Sequence, residues 1–187
     1  MRYRERCSTT RSVARNVAKT AAQIVVFWGF FLWVLPELIV RVGAALVLEI
    51  PFAFAGQGSV AAIVFGSASA LGLWSAWVVV TRGAGTPLPL DATNTLVTSG
   101  PYALVRNPMA IAGLTQGAAV GLHRGSTLVF LYVVIGAVLW QCIARPREEQ
   151  ELARRFGDAY RDYCAVVRCW WPRFRRRRAS LGHNHTA

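Results

Sequence analysis

Two short polar stretches carry the side chains able to do chemistry in this chain. One is Leu96-Val97-Thr98-Ser99-Gly100-Pro101-Tyr102-Ala103-Leu104-Val105-Arg106-Asn107-Pro108-Met109-Ala110; the other, one apolar hairpin later, is the acidic pair Glu148-Glu149. A carboxylate such as Glu148 can pair with an ammonium, and the ring of Tyr102 can cover an apolar or aromatic face. Backbone groups beside Pro108, at a helix start, can satisfy the polar edges of a ligand. Arg145 and Arg147, just ahead of the acidic pair, are placed to face an anionic partner. Plainer readings stand beside these. Glu148 and Glu149 suit the N-terminus of any helix, where the macrodipole welcomes acids, and Arg106 suits any cytoplasmic loop.

The elements that must hold these residues are apolar. The chain has 187 residues, of which 54% are hydrophobic and 16% charged, and a mean hydropathy of +0.36. That is too apolar for an ordinary soluble domain and predicts an all-α integral membrane bundle. Residues 21–40 and 60–80 are each long enough to cross a bilayer, which takes about 20 apolar residues; 108–122 is shorter, at about 15, and 126–144 has about 19. Only His123-Arg124-Gly125 separates the last two, which predicts a tight helical hairpin. Gly113, Gly117 and Gly121 recur at every fourth position of the short member, lining one face for close approach of a neighbour. In 41–58, Glu49, Pro51 and Gly56 favour an interfacial or partly inserted piece, with a fifth span as the alternative.

Basic residues set the orientation. Arg2, Arg4, Arg6, Arg11, Arg15 and Lys19 precede the first span; Arg145, Arg147, Arg154, Arg155, Arg161, Arg168, Arg173 and Arg175 to Arg178 follow the last. Cytoplasmic loops carry such an excess, so both termini are expected in the cytoplasm, in the cell membrane if the chain is bacterial. Four spans satisfy that parity and bring residues 81–107 to the same side as the C-terminal segment. The expected organisation is a basic N-terminus (1–20), an N-terminal transmembrane region (21–80), a region of loop, hairpin and C-terminal amphipathic helix (81–172), and a basic tail expected to be disordered (173–187).

The net charge of +12 is accounted for by topology and attraction to anionic lipid, and no nucleic-acid partner is expected. The first span is long and no small-residue cleavage site follows it, so it reads as a retained anchor. Cys7, Cys142, Cys164 and Cys169 form no Cys-x-x-Cys pair, and cytoplasmic placement of three of them argues against structural disulfides. No metal site is expected: His183 and His185 have no supporting ligands, and His123 sits in a turn. In 145–172, Leu152, Phe156, Tyr160, Tyr163 and Val167 read as a packing stripe, with Arg154, Arg155, Arg161 and Arg168 turned to headgroups.

The second half of the chain resembles the isoprenylcysteine carboxyl methyltransferase and phospholipid methyltransferase families of small membrane enzymes. Their pattern is met in order at Leu96, Val97, Gly100, Tyr102, Arg106 and Pro108, then at Glu148, Glu149, Leu152, Phe156, Gly157, Tyr160, Tyr163 and Pro172. Two letters depart: the families' His is Asn107 and their second Tyr is Ala110. Asn keeps a neutral donor and acceptor but does not titrate, so a hydrogen-bonding role survives the change and a proton-transfer role does not.

The resemblance implies S-adenosyl-L-methionine as methyl donor, with no metal. Cofactor contacts would fall on Asn94, Thr95, Leu96, Val97, Tyr102, Asn107, Pro108, Met109, Ala110, Glu148 and Glu149; Arg106, Asn107 and Glu148 would take the catalytic roles. The acceptor would be lipidic or lipid-anchored, bound near Arg145 and Arg147, with a carboxylate favoured over a phospholipid amine because it is nucleophilic without first losing a proton. Two other readings stand: a membrane reductase, since some sterol reductases share a related helical C-terminal region, and a non-catalytic binding or scaffold protein, motivated by Asn107 and Ala110.

Overall fold

The computed structural model describes residues 17–83 and 95–172. Among these the fold is an all-α membrane bundle of four helices: α1 (Val17–Ala45), α2 (Gln57–Arg82), α3 (Pro108–Arg124) and α4 (Thr127–Val166). Helices α1, α2 and α4 are long and apolar enough to cross a membrane. Helix α3, with 17 residues, is about 25 Å long against a hydrocarbon core of about 30 Å. It is instead the most enclosed element: Ala112, Gln116 and Ala119 are almost wholly buried, with Pro108, Gly117 and Gly121 beside them.

The contact between α2 and α3 is built on small side chains. Ala61, Ala68, Gly72, Ser75 and Val79 of α2 fall at helical spacing on its buried side. A Cβ on Gly72 would lie 3.4 Å from that of Ala112 and 3.8 Å from the Trp28 ring, so α1, α2 and α3 meet there. In the middle of this contact Gln116 Nε2 donates to Ser69 Oγ at 2.9 Å, and the buried Gln116 Oε1 has no hydrogen-bond partner among the described residues. The glycine face of α3 works in part as its spacing predicts. A Cβ on Gly117 would come within 2.9 Å of Val133, and one on Gly121 within 3.3 Å of Val129, both in α4. Gly113 is a correction: among the described residues no atom beyond its own helix turn lies within 4 Å of the corresponding position.

Helices α1 and α4 each contain a π-helical segment, Gly29–Val34 and Trp140–Ala144, and each segment is followed by a proline in second place. The chemistry explains the first. The Leu35 amide donates to Phe30 O, five residues back, and in that register the next donor would be residue 36. Pro36 has no N–H, so the Phe31 carbonyl is left open. The Tyr132 hydroxyl fills it from α4 at 3.2 Å.

Residues 41–45 continue α1, five residues past the expected end of the first span. Residues 46–56 are non-helical and strap across the turn between α3 and α4, which removes the alternative of a fifth span. The Phe52 amide donates to Gly125 O at 2.9 Å, and Gln57 Nε2 donates to Leu122 O at 2.6 Å. Glu49 accepts from Ser126 Oγ at 3.0 Å and from the Thr127 amide at 3.1 Å, satisfying a donor of the first turn of α4. Glu37 of α1 pairs with Arg41 at 2.6 Å and with Arg124 of the turn, whose guanidinium lies over the Trp33 ring.

The C-terminal amphipathic segment is a continuation of the last span, not a separate helix. At 40 residues, α4 is about 60 Å of chain, twice the hydrocarbon thickness, so the bilayer holds its apolar first half, to Ala144. The second half is bent. Gly157 has φ 53° and ψ −125°, a conformation that costs any residue with a Cβ dearly. A straight helix would put Trp170 about 45 Å beyond Trp140 at 1.5 Å per residue. Instead the two rings are 5.1 Å apart, edge to face, and Trp170 Nε1 donates to Gln141 Oε1 at 2.9 Å. The chain leaves the bundle, reverses at Gly157 and returns to the end of the span.

Candidate functional site

The returning arm closes over the loop that connects α2 to α3. The described part of this loop starts at Thr95, whose Oγ1 donates to the Arg82 carbonyl at 2.6 Å. A 3₁₀ turn, Gly100–Ala103, then lies against α2. Gly100 has φ 63°, and a Cβ there would meet Val78 at 3.0 Å, so both backbone angle and space call for glycine. Pro101 and Val105 are buried on the same side. The loop is therefore pressed to the bundle by its apolar residues, and Tyr102, Arg106 and Asn107 are available to the arm.

Among the described residues, four bonds join the loop to the arm beyond Gly157, and a fifth joins it to Glu149 ahead of the reversal. Tyr163 donates its hydroxyl to Tyr102 O at 2.7 Å, and the Arg106 amide donates to Arg168 O at 3.0 Å. Arg106 Nη1 lies 2.8 Å from Cys164 Sγ and 3.2 Å from Glu149 Oε1. Asn107 Nδ2 lies 3.4 Å from Cys169 Sγ. Arg145 Nε donates to the same Glu149 oxygen at 2.9 Å. The two polar stretches of the sequence thus meet, through Glu149 and Arg106.

The two acids are used differently. Glu149 is held between two guanidiniums. Glu148 has no cation within ion-pair distance among the described residues and lies near enough to Tyr102 for its charge to act on the phenol. Glu148 is exposed by surface area, yet enough protein surrounds it to push its carboxyl above the usual carboxylate range; the charge of Glu149 adds to that. The Tyr102 phenol is pushed up by burial first, then by Glu148 and Tyr163, and Tyr160 and Tyr163 are raised mainly by burial. All three stay protonated donors at any working pH.

Of the residues expected at the cofactor, Asn94 lies outside the described residues. Leu96 and Val97 are half-buried in the loop; Pro108 is buried and Met109 and Ala110 are half-buried in the first turn of α3. Asn107 stands at the N-cap of α3, but its side chain does not cap the helix; its amide turns to Cys169. Arg145 is committed to Glu149, whereas Arg147 is exposed. Cys142, Cys164 and Cys169 are free thiols. The partners that sequence reasoning missed are Cys164, Cys169 and Tyr163. Gly157 in the middle of an amphipathic pattern was the available signal, because a break there takes the tyrosines off one face and returns them to the loop.

A polar loop and the acidic stretch of α4 joined at one end of an apolar helical bundle define the class as a membrane protein with its polar groups gathered at that end. The chain belongs to the phospholipid methyltransferase family, whose family model matches residues 57–159, from the start of α2 to just past the reversal at Gly157. It is accordingly a membrane methyltransferase acting on lipid-type substrates. Compared with individual curated proteins, the chain finds no match.

Proposed function

We propose that the chain transfers a methyl group from S-adenosylmethionine to a lipidic or lipid-anchored acceptor where the 95–107 loop meets residues 145–170, the donor entering from the cytoplasm and the acceptor from the bilayer. The observation that carries this reading is Glu148: a carboxylate with no ion-pair partner among the described residues, beside the half-buried Tyr102, while its neighbour Glu149 is neutralised by Arg106 and Arg145. An unpaired acid in a crowded position fits the ammonium of an amino-acid ligand.

When bound, the donor supplies a methyl group on a sulfonium. The chain's own part is to align and to exclude water. Glu148 holds the ammonium end, Tyr102 covers an apolar face, and the first turn of α3 offers the uncapped amides of Met109 and Ala110. Asn107, with Nδ2 turned to Cys169, presents its carbonyl as an acceptor, which replaces the hydrogen bond of the families' histidine and leaves proton transfer out. Arg106 fixes the loop to the arm so that these groups keep their spacing. Arg147, exposed and with no ion pair among the described residues, faces an anionic acceptor, and a carboxylate acceptor needs no base.

The test is calorimetric binding of S-adenosylmethionine to protein in nanodiscs, repeated with Glu148→Gln. Wild type is expected to bind, and the variant to lose at least about tenfold in affinity, as for removal of one charged partner. No binding by wild type overturns the reading. Labelled methyl transferred in membranes should be released by base if the acceptor is a carboxylate; base-stable label in phospholipid assigns an amine. Binding without transfer to any lipid fraction would assign the non-catalytic role.

A further inference from the structure

Two polar side chains on the inward side of α1 stand unpartnered at the depth of the candidate site. Thr20, Ile24, Trp28, Pro36 and Gly43 are among the enclosed positions of α1, a row at helical spacing. Thr20 is 5% exposed, and Gln23, one turn on, shares its side of the helix. Thr20 Oγ1 and Gln23 Oε1 are both buried with no hydrogen-bond partner among the described residues. In α2 the hydroxyls of Ser67, Ser69, Ser75 and Thr81 each bond the carbonyl four residues back; Thr20 does not. Their depth follows from one contact. The Trp28 ring meets the position of Gly72, which meets Ala112, and Gly43 meets Leu128 past the far end of α3, so α1 and α3 run one way and α2 the other. Five residues from that contact toward the loop, about 7.5 Å, lead to Gln23, Trp77 and Asn107; eight, about 12 Å, lead to Thr20 and Val80. The walls at this level are apolar: Val79 is 6% exposed, Val80 3% and Val105 8%. The loop is tied on beside them by the bond from Thr95 to the Arg82 carbonyl.

We propose that Thr20 and Gln23 form a further wall of the donor site and read the purine edge of S-adenosylmethionine, its 6-amino group and the ring nitrogen beside it. The inference rests on the reading of the site as one for that donor. Neither side chain is charged, so the pair suits neither a carboxylate nor a phosphate, and the ammonium has Glu148. Walls of valine suit a flat apolar ring, and an amide with a hydroxyl one turn away suits a ring edge that carries both a donor and an acceptor. A side-chain amide is the common reader of adenine's amino group. Two unpaired polar groups in apolar surroundings cost the free protein stability, a cost that a ligand with matching polar atoms removes. On this assignment α4 takes the charged end of the donor and α1 the neutral one.

The first measurement needs no ligand. Thermal unfolding of the full chain in nanodiscs is expected to place Thr20→Val and Gln23→Leu at or above the wild-type midpoint, since each removes an unpaired buried group. A lowered midpoint would mean that the group is paired in the free protein, by a bound water for instance, and overturns the proposal. The second is a binding cycle: wild type and Gln23→Leu, each titrated calorimetrically with S-adenosylmethionine and with the analogue whose purine lacks the 6-amino group. Wild type is expected to bind the analogue at least about fivefold more weakly, and Gln23→Leu to bind the two alike. Thr20→Val should lose at least about threefold in affinity for S-adenosylmethionine. A preference for the amino purine that survives in Gln23→Leu, or is absent from wild type, overturns the proposal, as does wild-type affinity in Thr20→Val. Failure of the donor reading looks different: wild type then binds no S-adenosylmethionine, or Glu148→Gln changes nothing. Where the donor binds and Glu148 matters but the preference does not depend on Gln23, only the present proposal falls. Lost methyl transfer in Gln23→Leu at unchanged donor affinity would assign the pair to the acceptor and overturn it as well.

Discussion

Glu148 and Glu149 are adjacent in the chain and opposite in circumstance, and the difference has a pH signature. Glu149 is shared between Arg106 and Arg145; the carboxyl of Glu148 is raised, first by surrounding protein and then by Glu149. In the ligand-free protein a raised carboxyl binds more protons than in the unfolded chain. This group's contribution to stability is therefore full at low pH and is lost as pH rises through the raised value. An ammonium ligand reverses the preference, since it needs the carboxylate. S-adenosylmethionine affinity measured by calorimetry is expected to fall as pH drops from neutral to mildly acidic, and the Glu148→Gln profile should be flat over that range; a wild-type profile equally flat would remove Glu148 from the binding role. These acids were legible in the sequence because carboxylates in an apolar chain stand out. Cys164 and Cys169 were not, because a thiol's partner depends on how the chain folds back, and spacing alone does not show a reversal at a glycine.

At the scale of the elements, the glycines of α3 give a direct test of the packing. Gly117 faces Val133 closely enough that any side chain displaces α4, whereas Gly113 faces open space. Gly117→Leu is expected to cost about 1–3 kcal/mol through overpacking, while Gly113→Leu should change stability little; thermal unfolding in detergent, followed by tryptophan fluorescence, measures both. Equal losses at the two positions would mean that α3 is rotated about its axis from the orientation described. The repeat at every fourth residue was readable from sequence, but which two of the three glycines meet α4 was not. Four residues advance a helix by about 400°, so such a row drifts around the axis. The strap at 46–56 was readable for a different reason: an acid and a proline in an apolar stretch oppose a span. Its partners, Gly125 to Thr127, lie some 75 residues on and carried no local signal.

At the scale of the whole molecule, the helices run so that α1 and α2 are joined at one end with α3 and α4, while the 95–107 loop and the arm share the other. Both termini are expected in the cytoplasm; alkaline phosphatase and fluorescent-protein fusions at each end should report the same side, with a cysteine introduced at His123 labelled only from the opposite one. Labelling of that cysteine from the cytoplasm would invert the orientation and with it the side from which the methyl donor comes. The architecture was legible because the bilayer imposes length and composition on each span; the reversal at Gly157 lies outside the apolar half of α4 and escaped that constraint. One bond far from the site sets where the site sits. Small residues let α2 and α3 touch over a smooth surface, and smooth helices can slip along each other; the Gln116 to Ser69 hydrogen bond gives the pair a single register, as a lone polar residue does in other helix pairs. A slip of one turn, about 5.4 Å, would carry Asn107 and the loop beyond reach of Tyr163, Cys164 and Arg168. The depth of the proposed site in the membrane is thus indexed by a glutamine nine residues along α3 from Asn107, a gauge that stands outside the residues proposed to hold donor and acceptor.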